Sequence, residues 1–258
     1  MRPLLGLVCA LLAASAAQAE DAPICADRPA KANAVCTVPA GRWQLETAAA
    51  DWLRLEQGGS ETETLLLGGS IAKLGLTDGS DLQLAFTPFV RVSSDGEHLS
   101  GVGDVTVRFK QRLTGSDSAV QVAVIPFVKL PTAKKGIGNG KAEGGLALPV
   151  SFALVGPVTA TLGPEVDLLA DADGHGRRHL AIVQVVNLSA PVASRLTLIG
   201  ELWAGWNFDP QATVKQRSVD LAIAYAATGN LQLDAGANAG LTRDTPDVEL
   251  YAGVSKRF

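Results

Sequence analysis

Apolar and polar residues alternate with a period of two along most of the chain. In "DLQLAFTPFVRV", Leu82, Leu84, Phe86, Pro88, Val90 and Val92 fall on one face. Asp81, Gln83, Ala85, Thr87, Phe89 and Arg91 fall on the other. "DVTVRFKQRL" sets Val105, Val107, Phe109 and Leu113 against Asp104, Thr106, Arg108, Lys110 and Arg112. The last run, "DVELYAGVSKRF", sets Val248, Leu250, Ala252, Val254 and Phe258 against Glu249, Tyr251, Gly253, Ser255 and Arg257. This period marks strands with one apolar and one polar face. Twelve strands are predicted, over 42–56, 62–76, 81–93, 102–114, 118–130, 144–156, 158–170, 178–190, 194–207, 214–228, 230–242 and 247–258. The eighth, around "HLAIVQVVNL", is apolar on both sides near its middle, and alternation leaves its facing unassigned.

The joints fall into two groups. Those at 77–80, 115–117, 157, 191–193 and 229 are short. Most of the others are longer, notably 94–101, 131–143 and 171–177. Two architectures accommodate long alternating strands: a water-soluble sandwich and a membrane-spanning barrel. The strands exceed the usual 5 or 6 residues and suffice for a tilted crossing of about 9–11. Their even number brings both termini to one side. Small residues and charges crowd the polar face, as in a wet or tightly filled lumen. The fold class expected is therefore all-β, a membrane-spanning antiparallel β-barrel of twelve strands with short periplasmic turns and longer extracellular loops. Unpaired amides are intolerable in hydrocarbon, so the sheet must close. The terminal strand then zips to the one beginning "GRWQLETAAADWLRLE", and Trp43 belongs to an interfacial aromatic girdle.

Composition narrows the class. With 258 residues, net charge -4 and 5% aromatics, the chain lacks the basic patches that nucleic acid requires. The start "MRPLLGLVCALLAASAAQAE" reads as a secretory signal peptide over 1–19, cut after Ala19. Cys9 lies inside its apolar run, away from the cut, and carries no lipid-attachment signal. Residues 20–41 are expected to form a periplasmic N-terminal arm, and 42–258 the barrel. In an oxidising compartment Cys25 and Cys36 are expected to pair, closing a loop for about 3 kcal/mol; two free thiols in a mobile arm are the alternative.

The block from Gly101 to Pro149 carries a family resemblance. Gly101, Gly103 and Asp104 open a strand; Pro126, Phe127, Lys129, Pro131 and Thr132 follow, then Gly136, Gly138, Gly140, Lys141, Gly144, Gly145 and Pro149. This pattern resembles the proteobacterial outer-membrane proteins associated with the meta-pathway of phenol degradation, often described as transporters. The terminal "GVSKRF" is similar to the signal that barrels present to the outer-membrane assembly machinery, with Phe258 its last residue. The resemblance implies an outer-membrane barrel and a passage for aromatic or other hydrophobic compounds. It assigns no functional residues.

Alternation places Arg91, Arg108, Lys110, Arg112 and Lys129 in the lumen on neighbouring strands, and Glu165, Asp167, Glu201, Asp220, Asp234 and Glu249 on later ones. One reading is a basic wall facing an acidic wall, whose transverse field orients solutes. The other is structural filling by paired charges. The loop holding Lys134, Lys135 and Lys141 either contacts anionic lipopolysaccharide, folds inward as a gate, or is simply solvated. Its glycines lack the spacing of a phosphate-binding loop. "DADGHGRRH" gathers Asp171, Asp173, His175 and His179, but lacks the glutamate of a calcium loop and reads as an exposed turn rather than a metal site. The histidines lie in loops, and no "GxSxG" elbow exists, so neither an enzyme nor a cofactor is expected. Two functional classes remain: a passive outer-membrane channel for small, hydrophobic or aromatic solutes, and a non-conducting structural or surface-binding barrel. Both imply outer-membrane lipid and lipopolysaccharide as surroundings.

Overall fold

The computed structural model describes residues 23–258, and the signal peptide expected over 1–19, with Cys9, lies outside them. The strands are β1 (Trp43–Gln57), β2 (Ser60–Thr77), β3 (Ser80–Phe86), β4 (Phe89–Ser94), β5 (Glu97–Gly101), β6 (Val105–Arg112), β7 (Val120–Leu130) and β8 (Glu143–Ala147). They continue with β9 (Val150–Val155), β10 (Val158–Ala170), β11 (Arg178–Ala193), β12 (Leu196–Asn207), β13 (Val214–Thr228), β14 (Leu231–Gly240) and β15 (Val248–Arg257). Three staves are interrupted, β3 running on into β4, β5 into β6 and β8 into β9, so the barrel has twelve staves.

All pairings are antiparallel, and β1 pairs with both β2 and β15, which closes the sheet. The last amide, that of Phe258, donates to the Trp43 carbonyl at 2.7 Å. Among the described residues every stave is thereby paired on both sides along the barrel, and β5, which pairs with β4 alone, extends past it at the end away from the termini. The sequence-predicted loop over 94–101 is instead a hairpin: β4 and β5 pair through a tight turn at Asp95 and Gly96, both with positive φ. Alternation was diluted there by Ser93, Ser94, Ser100 and Gly101, so the strand read as a loop.

Large apolar side chains cover the outer face. Leu202 and Leu221 keep 57% and 60% of their surface exposed, levels that a water-facing sheet would not sustain in a continuous band. Trp43, Tyr225 and Phe258 flank this band near the end bearing the termini, and Trp52, Trp206 and Phe208 near the other. Nine residues separate Trp43 from Trp52 on one tilted strand, or roughly 20–25 Å along the barrel axis, the height of an apolar belt.

A register slip crosses three adjacent staves. Ala49 is an extra residue against β15, Gly68 has a φ of +69°, and residues 87–88 interrupt β3 and β4. A Cβ on Gly68 would sit 3.0 Å from Pro88 Cγ, so both conformation and space favour glycine. Beyond such a slip every side chain changes face. Val90 is accordingly buried within the barrel and Phe89 turns out. Arg91, expected in the lumen, faces outward instead, opposite Leu65 and in one recess with Trp52, Glu63 and His98.

Leu250 lies in a strand paired on both sides. Leu250→Pro removes a ladder donor there, at several kcal/mol in hydrocarbon. It is expected to abolish heat-modifiable gel migration, whereas Leu250→Ala retains it; a folded band in the proline variant would contradict the closed sheet.

Candidate functional site

Residues 23–42 form no strand, and the Cys25–Cys36 disulfide ties them into a ring. This arm was expected to be a periplasmic segment. Its contacts correct that: it lies in the lumen, bonded to inward-facing groups of β1, β2, β3, β6, β12, β13 and β14. The reason is charge. Alternation turns polar side chains of every stave inward, and these need partners in a confined space.

Lys73, Lys110 and Arg108 line one side. Asp27 stands between the two lysines, with Lys73 Nζ at 2.7 Å and Lys110 Nζ at 2.8 Å. Both lysine side chains are essentially fully buried. Glu46 also pairs with Lys73 and accepts the Asp27 and Arg28 amides at 2.9 and 3.0 Å. Lys110 donates to the Ala34 carbonyl at 2.7 Å, and Arg108 donates to Asn33 Oδ1.

The opposite side carries Glu201, Asp220, Asp234 and Glu249. Here the arm presents cations. Arg28 pairs with Asp234 at 2.7 Å; Lys31 Nζ lies 3.2 Å from Asp220 and 3.6 Å from Glu249. The Lys31 and Ala32 amides donate to Glu201 at 2.7 and 3.0 Å. Ala30 packs on Ile199, Ala222 and Ala224 between these polar contacts. Two wall glycines make room: a Cβ on Gly75 would fall 2.0 Å from the Pro39 carbonyl oxygen, and one on Gly253 would fall 2.4 Å from the Arg28 guanidinium. The arm is therefore an insert with its anion toward the basic wall and its cations toward the acidic one.

The arm divides the interior. On the side of the long loops lies a cavity of about 230 Å³ lined by Lys31, Leu53, Trp203, Asn238 and Glu249, among others. On the termini side lies one of about 200 Å³, of mixed polarity, lined by Asp27, Arg28, Asn187, Thr197, Ile199 and Gln232, among others.

The remaining charged positions lie away from the arm. Arg112 donates to the Asp78 carbonyl at the rim bearing the termini. Lys129 pairs with Asp104 and Glu143 at 3.2 and 2.8 Å toward the other rim. Glu165 and Asp167 share the inner face of β10, opposite Ala147 and Gly145. Lys134 is tied to the Ser100 carbonyl at 2.7 Å, so the glycine-rich loop is pinned at that point. The segment over 171–179 is not the wholly exposed turn expected: Asp171 and His179 are buried and bonded at 2.9 Å, and Asp209 lies 3.6 Å from His179. Asp173, half-buried on the loop, is held down to about 2 by the His175 amide and Arg177. Among the described residues no cluster of three or more His, Cys, Asp or Glu is arranged to hold a metal.

Sequence reasoning missed Lys73, Glu46 and Asp81 as lumen groups, and the arm as their partner. A usable signal was present. Gln44 and Glu46 share the inward parity of β1, and "DRPAK" holds both signs within a disulfide loop too small to fold alone.

Residues 26–258 match the model of the family described as "Putative MetA-pathway of phenol degradation". The chain belongs to that family. No curated protein matches it in sequence. Among solved structures, this member of the phenol-degradation family is similar to an outer-membrane channel from Pseudomonas putida F1, at 16% identity and a TM-score of 0.68, covering 87% of this chain and 98% of that one. The NanC porin follows at 10% identity and 0.53, covering 83% and 98%. The translocator domain of the autotransporter NalP from Neisseria meningitidis stands at 14% and 0.51, covering 86% and 90%. At such identities the likeness is one of fold: a closed antiparallel β-barrel.

Removing one partner of a buried ion pair costs about 3–5 kcal/mol, because the other charge is left bare. Asp27→Asn leaves the buried Lys110 ammonium without its paired carboxylate and Lys73 with Glu46 alone. The arm of this variant is expected to undock and become cleavable by trypsin after Lys31, seen on a reducing gel because the Cys25–Cys36 disulfide spans the cut, while the barrel stays intact. Unchanged protease resistance would show that Asp27 does not hold the arm.

Proposed function

We propose that this protein is an outer-membrane channel whose aperture is set by its own N-terminal arm, and that it passes small apolar or aromatic solutes down a gradient. The observation carrying this reading is the fit between arm and walls. The barrel surrounds a space crossed by one short disulfide-closed segment, which runs on into β1 and is held across the lumen by charge pairs and by hydrogen bonds from its amides to wall carboxylates. Such a segment narrows a passage and yields to a change in its counter-charges. The family description, with its link to phenol degradation, supports aromatic compounds as the solute class. Export by the signal peptide, insertion by the assembly machinery through a C-terminal signal ending at Phe258, and lipopolysaccharide around the long loops complete this reading.

One observation favours a second function. The arm makes contacts with both walls at once, as a permanent stopper would, and a permanently stopped barrel serves as a structural or surface-binding protein. Planar-bilayer recordings separate the two. The channel reading predicts small conductance steps for the native protein. It predicts steps several-fold larger when Asp27→Asn is combined with Arg28→Gln. Silence from both proteins, with folding verified by heat-modifiable migration, favours the non-conducting barrel.

The facing of the charges gives an independent check. Arg108→Glu reverses a charge on the basic side of the lumen and is expected to shift reversal potentials toward cation preference. Arg91→Glu, on the outer surface, is expected to leave them unchanged. Equal responses at the two positions would contradict the assigned facing.

A further inference from the structure

The side chain of Lys31 occupies a site that the barrel wall builds without it. Its ammonium lies 3.2 Å from Ser218 Oγ, 3.2 Å from Asp220 Oδ2 and 3.6 Å from Glu249, and 5.6 Å from the centre of the Trp203 ring. Two carboxylates, a hydroxyl and an aromatic face are a receptor for a cation of the ammonium type. The four wall residues come from β12, β13 and β15, and are fixed by the strand ladder rather than by the arm.

Two further observations concern what that site can hold. First, its hydrogen-bonding capacity exceeds what Lys31 uses. Asp220, whose side chain is 2% exposed, keeps Oδ1 without a partner, and so does the buried Asn238 at its own Oδ1. Both are acceptors awaiting N–H donors, and a buried acceptor left empty costs free energy. Second, the site opens on the 230 Å³ cavity that lies toward the long loops, where Leu53, Trp203 and Pro246 give apolar surface beside Asn238 and Glu249. That volume admits a single ring or a short alkyl chain attached to the ammonium. For a chloride or carboxylate the wall offers Glu249, a like charge, and Lys31, the cation that lines the cavity, is already paired with Asp220 and Glu249.

We propose that Asp220, Glu249, Ser218 and Trp203 form a binding site for organic ammonium compounds, and that Lys31 is its resident, tethered occupant. A primary amine entering from the long-loop end competes with Lys31 for the same carboxylates. Its success removes one of the two cation anchors of the arm. This rests on the reading of the arm as a movable element, and binding itself does not require the pore to conduct. The site therefore couples recognition of an ammonium compound to release of the arm at Lys31, while Arg28 and Asp27 keep their own partners.

Equilibrium binding to the detergent-folded protein tests this, with benzylammonium as probe and benzyl alcohol and benzoate as neutral and anionic controls of like shape. Calorimetry is expected to detect benzylammonium alone. Lys31→Ala removes the tethered competitor and leaves the carboxylates bare, so affinity is expected to rise about tenfold or more. Asp220→Asn with Glu249→Gln is expected to abolish binding in the Lys31→Ala background. Folding of every variant is checked by heat-modifiable migration, and Lys31→Arg, which keeps the cation, is expected to bind as weakly as the native protein. Equal binding of benzyl alcohol would overturn the proposal, as would a Lys31→Ala protein with native affinity. Because the readout is binding, a silent bilayer recording would defeat the channel reading and leave this one standing.

Discussion

A charge held in a confined, poorly hydrated space must meet its opposite, and the arm and the barrel wall of this protein supply each other's counter-charges. Strand alternation forces polar side chains inward, and closure of the sheet brings basic β2 and β6 to face acidic β12–β15 across the lumen. Without an insert, Lys73, Lys110 and Arg108 would share only Glu46 and Asp81 nearby, one anion too few, and Glu201, Asp220 and Asp234 would crowd one another. Asp27 resolves the first imbalance; Arg28 and Lys31 resolve the second. The geometry of the barrel thus dictates the order of signs in the arm, an anion followed by two cations.

That division of labour separates stability from function. The sheet is secured by backbone pairing that runs unbroken from β1 round to β15, with the outer face solvated by lipid. The arm is secured by a handful of ionic contacts on an otherwise complete barrel. Each contact is strong where both partners are buried, as at Asp27, and weaker where water reaches, as at Lys31, whose side chain keeps 29% of its exposure. A graded set of anchors is what a displaceable constriction requires. The Lys31 anchor is also the one that faces the outer cavity.

The twelve staves were legible in the sequence because a lipid-facing sheet keeps its period of two for a dozen residues at a stretch. The inward facing expected of Arg108, Lys110, Glu201, Asp220, Asp234 and Glu249 rests on the same parity. Arg91 was misread because one residue too many at 87–88 inverts the pattern, and Thr87-Pro88 looks in sequence like ordinary alternation. The hairpin at Asp95–Gly96 was misread because serines and glycines hide a strand's two faces. The arm was invisible to periodicity altogether, since it has none. Its position is decided by tertiary electrostatics, legible only after the walls have been assigned and their signs compared with Asp27, Arg28 and Lys31.

The docked arm is most directly tested by hydrogen exchange at its own amides. Those of Asp27, Arg28, Lys31, Ala32 and Val38 donate to wall carboxylates of Glu46, Glu201 and Asp81. In the folded protein they are expected to exchange orders of magnitude more slowly than in the isolated arm peptide. Exchange at the free-peptide rate, with the barrel amides still protected, would contradict an arm held inside the lumen.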